Sequence, residues 1–138
     1  MACSRGAAGV RLVTGEGGSG KTRLALQLER ELAGRGWRTL WVQRGREGPA
    51  VAAVRDSGEP AVLVVDYAET RPGLAGLLAA AAGGCPEVRV VLLARSAGEW
   101  WRQLLAGADY RLSVVLEQAA PLCLGAPDRG RRAAGAVR

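Results

Sequence analysis

Between residues 15 and 22 the chain reads GEGGSGKT, and Lys21 within it is the only lysine among 19 cationic side chains. The spacing of Gly15, four further residues and then Gly20-Lys21-Thr22 is that of a loop that cradles phosphate. Glycines at 15, 17, 18 and 20 let the backbone curl until its N–H groups face inward onto anionic oxygens. A helix opening near Lys21 adds the partial positive charge of its N-terminus at the same point. Lys21 would reach the β- and γ-phosphates of a nucleotide as a compact, flexible charge, where the planar fork of arginine fits badly. The Thr22 hydroxyl would ligate Mg²⁺. The candidate nucleotide-binding residues are therefore Gly15, Glu16, Gly17, Gly18, Ser19, Gly20, Lys21, Thr22 and Arg23.

Such a P-loop needs a second anion for the metal and a group that positions an attacking water. The apolar run AVLVVD ends in Asp66, at the strand end where open α/β sheets bind ligands, so Asp66 is the expected Walker B carboxylate, with a helix N-cap or turn aspartate as the alternative. Glu69, three residues on in DYAE, is the candidate to polarise water for attack on the γ-phosphate, with a plain surface glutamate as the alternative. The run VRVVLLA delivers Arg95, whose fork suits phosphate oxygens, to the same edge; a simple surface arginine is its alternative. Lys21, Glu69 and Arg95 form the candidate catalytic set.

These positions need a sheet beneath them. Five Val- and Leu-rich runs recur: residues 10–14, 38–43, 61–66, 88–94 and 112–117 (LSVVLE). The third and fourth do not alternate with polar residues, as expected for parallel strands buried on both faces. Helices are expected over 21–34, where Leu24, Leu28 and Leu32 recur four apart, and over 49–57, 72–82 and 97–106. Gly83 and Gly84 read as the stop of the third. Strand and helix alternation predicts an α/β fold with right-handed crossovers. Adjacent Trp100 and Trp101 point about 100° apart on a helix, so one is expected in the core and the other on a neighbour. Base stacking by these two or by Tyr67 is the less economical alternative, and Trp37 and Trp41 read as structural.

Composition removes several classes. With no histidine in 138 residues, Ser-His-Asp and Cys-His catalysis are excluded. Cys3, Cys85 and Cys123 are too scattered for a zinc site and are read as free thiols. No apolar run approaches the roughly 20 residues of a membrane span and no signal-peptide segment is present, so a cytoplasmic protein is expected. The net charge of +6 invites a nucleic-acid reading, but residues 128–138 alone hold four arginines against one aspartate and so supply half of it. That tail is read either as a helix starting near Asp128 or as disordered.

The segments LVTGEGGSGKTRLALQLEREL, AVLVVDYAET and VRVVLLARSAGEWW, in that order and spacing, resemble the P-loop ATPase core of STAND-type signalling ATPases, relatives of the NB-ARC and AAA+ groups. They are similar to actinobacterial ATP-binding regulators, and the resemblance covers about residues 8 to 122. The resemblance implies a three-layer α-β-α P-loop NTPase fold with a mostly parallel sheet, in which the fourth run lies between the first and third. It implies that Arg95 matches the sensor-1 arginine and Asp66 the Walker B acid. It also implies that Pro121-Leu122 follows the fifth strand and leads into a helical lid. The chain departs from the pattern by stopping there, without lid, winged helix, repeats or sensor-2 residue, so it reads as C-terminally truncated. Glu69 departs too, since the catalytic acid commonly follows the Walker B aspartate directly.

The expected organisation is a nucleotide-binding domain over 1–122 and a basic tail, or the start of a missing lid helix, over 123–138. The expected function is a regulatory switch that binds ATP or ADP with Mg²⁺, hydrolyses ATP slowly and is read by a protein partner or effector domain. ATP is favoured because a chain without asparagine cannot contain Asn-Lys-x-Asp, the guanine-reading motif. A small-molecule kinase and a nucleic-acid-binding module using the basic tail are the alternatives, and no membrane contact is expected.

Overall fold

The computed structural model describes residues 8–17, 20–82, 88–119 and 122–124. In chain order these form β1 (Ala8–Thr14), α1 (Lys21–Ala33), β2 (Arg38–Trp41), α2 (Glu47–Ser57), β3 (Ala61–Val65), α3 (Leu74–Ala82), β4 (Val88–Ala94), α4 (Glu99–Ala106), α5 (Tyr110–Glu117) and β5 (Leu122–Cys123). A single 3₁₀ turn, Ala68–Thr70, follows β3. The strands make one sheet in the order β2-β3-β4-β1-β5, and every pairing is parallel.

The apolar runs lack polar alternation because both faces of the sheet are covered. Along β3, Ala61, Leu63 and Val65 pack with α2, α3, α4 and α5, while Val62 and Val64 pack with α1 on the opposite face. All five are buried. The first layer contributes Ala50, Val51, Val54, Leu74, Leu77, Leu78, Trp101, Leu112 and Leu116. The second consists of Ala25, buried against Val13, Val91 and Leu93, with Leu24, Leu28 and Leu32 beside it. The expected four-residue leucine spacing of α1 is thus the stripe that holds it to the sheet. The architecture is the anticipated three-layer α-β-α fold, and β4 lies between β1 and β3.

One expected strand is a helix. LSVVLE at 112–117 belongs to α5, whose N-cap Asp109 accepts a hydrogen bond from the Leu112 amide at 2.8 Å. Leu112 and Leu116, four apart, are both buried, a spacing that a helix satisfies with one face. A short apolar run fits either period, and the sheet settles which applies. The fifth strand is instead Leu122–Cys123, paired with Val13 and Thr14. Leu122 therefore lies in the fifth strand rather than after it, and Pro121 is outside the described residues. Smaller shifts occur at element ends: β2 stops at Trp41, α2 begins at Glu47, Pro72 sits in the turn before α3, and Asp66 is the first residue beyond β3.

Trp101 is buried in the core. Trp100 meets it edge-on, with centroids 5.6 Å apart, and its indole donates to the Ser96 carbonyl at 2.7 Å. Trp37 lies 4.9 Å beneath the Arg89 guanidinium, and the Trp41 indole donates to Glu29 Oε1 at 3.3 Å. All four tryptophans serve packing among the described residues. Cys123 is an exposed free thiol. Among the described residues no helix is long and apolar enough to cross a membrane. Cys3, Cys85, the Gly83-Gly84 stop and the tail from residue 125 lie outside the described residues.

Candidate nucleotide site

Parallel register brings three strand ends to one edge of the sheet: Thr14 lies level with Ala94, and Val65 with Leu92. The residues that follow, Gly15, Arg95 and Asp66, leave the sheet side by side, where open α/β sheets carry their ligand crevice. A cleft of about 780 Å³ opens there. Its floor is Leu93 and Ala94, and its walls are Gly17, Gly20, Lys21, Thr22 and Arg23 on one side and Asp66, Tyr67 and Arg95 on the other.

The loop side is built as an anion site. Gly20 is the N-cap of α1 at φ 99°, ψ 12°, in the left-handed region. Among the described residues a Cβ there would meet nothing within 4 Å, so backbone conformation is what requires glycine at this position. Among the described residues no side chain caps α1, and its first turn contains no acidic residue. The first N–H groups of the helix and its positive dipole end, without a partner among those residues, suit an anion. The Gly15 amide is tied to the Ala94 carbonyl at 3.1 Å. The half-buried Lys21 ammonium donates to the carbonyls of Gly15 and Glu16. Glu16 is exposed at the loop rim. Gly18 and Ser19 lie outside the described residues.

On the opposite wall, the turn after β3 is strained. Tyr67 adopts φ 56°, ψ 45°, the only non-glycine residue in the left-handed region among those described. Such a residue costs on the order of 1–3 kcal/mol and persists where its surroundings over-determine it. Here Asp66 Oδ1 accepts from the Tyr67 amide at 2.9 Å, and the Thr70 amide and hydroxyl both donate to the Tyr67 carbonyl at 2.9 and 2.8 Å. Tyr67 itself is 58% exposed and borders the cleft.

Lys21, Thr22, Arg23, Asp66 and Arg95 are thus brought together, whereas Glu69 is placed differently. It is not among the residues that line the cleft. Its Oε2 accepts from the Arg95 amide at 3.3 Å, while its Oε1 is buried without a hydrogen-bond partner. Arg95 is exposed and joins no ion pair among the described residues.

Sequence reasoning missed the buried pair beneath this wall. Arg71 and Glu47 meet at 3.0 Å with side chains only 6% and 7% exposed. Burial by itself would raise the Glu47 pKa. The hydrogen bond from Arg71, backbone hydrogen bonds at Glu47 and Gly45, and the Arg71 charge outweigh it and hold the carboxyl below its ordinary value. No local signal could have found the pair, since its members are separated by 24 positions and each looks like a surface charge.

Among the described residues no three His, Cys, Asp or Glu side chains form a metal cage. Thr22 and Asp66 nevertheless bring a hydroxyl and a carboxylate to one cleft. Hard oxygen donors too few to fill a shell suit a cation that completes it with phosphate oxygens and water. A search of curated proteins finds no match to the chain. The family model described as Novel STAND NTPase 5 matches residues 2–121. With its all-parallel sheet and a P-loop pattern between β1 and α1, the chain belongs to this family of STAND NTPases and is a nucleotide-binding NTPase domain of that regulatory class.

Proposed function

We propose that the nucleotide is ATP, bound with Mg²⁺, and that slow hydrolysis to ADP resets a conformation read by a protein partner or effector domain. One observation carries this reading: the N-terminus of α1, with Gly20, Lys21 and Thr22 and no side-chain cap among the described residues, lines the same cleft as Asp66. Loop amides and Lys21 bind the β- and γ-phosphates, and the lysine exchanges its contacts with the Gly15 and Glu16 carbonyls for phosphate oxygens. Thr22 and Asp66 are the residues that hold the metal, which neutralises phosphate charge when bound. Arg95 at the cleft wall stabilises charge on the γ-phosphate. Glu69, whose Oε2 accepts from the amide of the cleft-lining Arg95, is the carboxylate assigned to orient the attacking water. In this reading residues 1–122 form the nucleotide-binding domain, and residues 123–138 are a basic tail or the start of a lid helix.

Adenine is preferred to guanine because no Asn-Lys-x-Asp motif exists in this sequence. Calorimetric titration of the full chain with ATP, ADP and GTP, with and without Mg²⁺, tests the reading directly. ATP binding that strengthens with Mg²⁺ and is lost in Lys21→Ala is expected. Equal binding by the lysine variant would remove its basis.

A further inference from the structure

We infer that Arg71 is a positioning residue for Asp66, fixing the Walker B turn from the adjacent strand end; the inference rests on the assignment of Asp66 as a metal-holding carboxylate. The Arg71 guanidinium uses all three of its nitrogens. Nε donates to the Asp66 carbonyl at 3.1 Å, Nη2 to the Val42 carbonyl at 2.8 Å and Nη1 to Glu47 Oε2 at 3.0 Å. The first two acceptors lie just beyond the ends of β3 and β2, where the strand ladder no longer satisfies them. Arg71 therefore joins neighbouring strand ends at the level of the cleft.

A buried ion pair is weak evidence for stability, because an apolar pair of similar volume often serves as well. An apolar pair could not, however, hold the Asp66 and Val42 carbonyls. Gly73 shows how closely the pair is fitted: a Cβ there would lie 3.0 Å from Glu47 Oε1. A second arginine braces the far end of the same turn, with Arg44 donating to the Thr70 carbonyl at 3.0 Å and to its hydroxyl at 2.9 Å. Between these struts sits Tyr67 in its left-handed conformation, its amide bound to Asp66 Oδ1. The carboxylate direction is consequently set by a turn that Arg71 and Arg44 hold at its two ends.

The test compares the gain in ATP affinity conferred by Mg²⁺ in the full-length wild type, Arg71→Lys, Asp66→Asn and the double variant. A lysine keeps the buried charge but lacks the fork that reaches three acceptors. Arg71→Lys is expected to bind ATP in EDTA within about twofold of wild type, since the P-loop is untouched, and to lose about 10–100-fold of metal affinity, the usual scale for partners that orient a ligand. Adding Arg71→Lys to Asp66→Asn should then cost nothing further, because both act through one carboxylate. Losses that simply add, or an Arg71→Lys protein with the full magnesium gain where Asp66→Asn loses it, overturn the inference while leaving Asp66 in its role. An Asp66→Asn protein that keeps the gain overturns both. Should Arg71→Lys fail to fold, the joint change Glu47→Leu with Arg71→Met leaves no unpaired buried charge. A folded protein of that kind with an intact magnesium gain also refutes the positioning role.

Discussion

Replacing Gly20 with alanine separates two reasons for a glycine that are usually confounded. Among the described residues nothing lies within 4 Å of the position its Cβ would take, so no steric clash with them is created. What changes is the backbone: at φ 99° an L-residue is strained, by about 1–2 kcal/mol on the scale of left-handed conformers. That strain must appear in one of two places. If the loop keeps its shape, folding stability falls by the full amount. With about 2.1 cal/mol/K of unfolding entropy per residue, a chain of 138 residues then loses roughly 3–7 °C in Tm. If the loop relaxes instead, stability is kept and the shape must be restored on binding, which weakens ATP affinity by about 5–30-fold. Differential scanning calorimetry and isothermal titration on the same protein measure both terms, and their sum should reach about 1–2 kcal/mol. Gly17→Ala is the control, since Gly17 has no positive φ and its Cβ would also meet nothing among the described residues. It should leave Tm unchanged. A Gly20→Ala protein with wild-type Tm and wild-type affinity would refute the claim that this glycine is present for its conformation.

Leu63→Ala removes a fully buried side chain from the middle of β3 and should cost about 2–5 kcal/mol in urea unfolding followed by tryptophan fluorescence; a loss below about 1 kcal/mol would contradict the packing described. Because the folded pKa of Glu47 is depressed, its contribution is present above the ordinary value of 4.5 and disappears as pH falls through the lower folded value. The stability difference between wild type and the Glu47→Leu, Arg71→Met protein should accordingly shift against the wild type on acidification below about pH 4.5, and urea midpoints that keep a constant difference there speak against it. Glu69→Gln should lower ATP turnover by about 10²–10⁴-fold at nearly unchanged ATP affinity; equal turnover would assign the water to another group.

The legible parts of the chain are those whose physics is local. The P-loop pattern could be read because all its fixed positions fall within eight consecutive residues, and the strand that ends just before Asp66 because burial on both faces requires a continuous apolar run. The helix α1 declared itself through three leucines four apart. LSVVLE was misread for the same reason of locality: over six residues Val114-Val115 suits a strand and the Leu112, Leu116 pair suits a helix. Only the layer of helices beneath β1 and α3 decides for the second.

The sequence by itself therefore determined the P-loop pattern between a strand and a helix, the apolar strand that leads to Asp66 and the exclusion of histidine chemistry. Tertiary structure decided what is shared between distant segments. It set Glu69 behind the Arg95 amide and closed a buried Glu47–Arg71 pair across 24 positions. It also tied the turn that carries Tyr67 to the segment after β2, through Arg71 on the Val42 carbonyl and Arg44 on the Thr70 carbonyl. The physical reason is that a parallel sheet aligns strand ends whose sequence separation carries no signal. Burial and hydrogen bonding between those ends exist only once the sheet has formed.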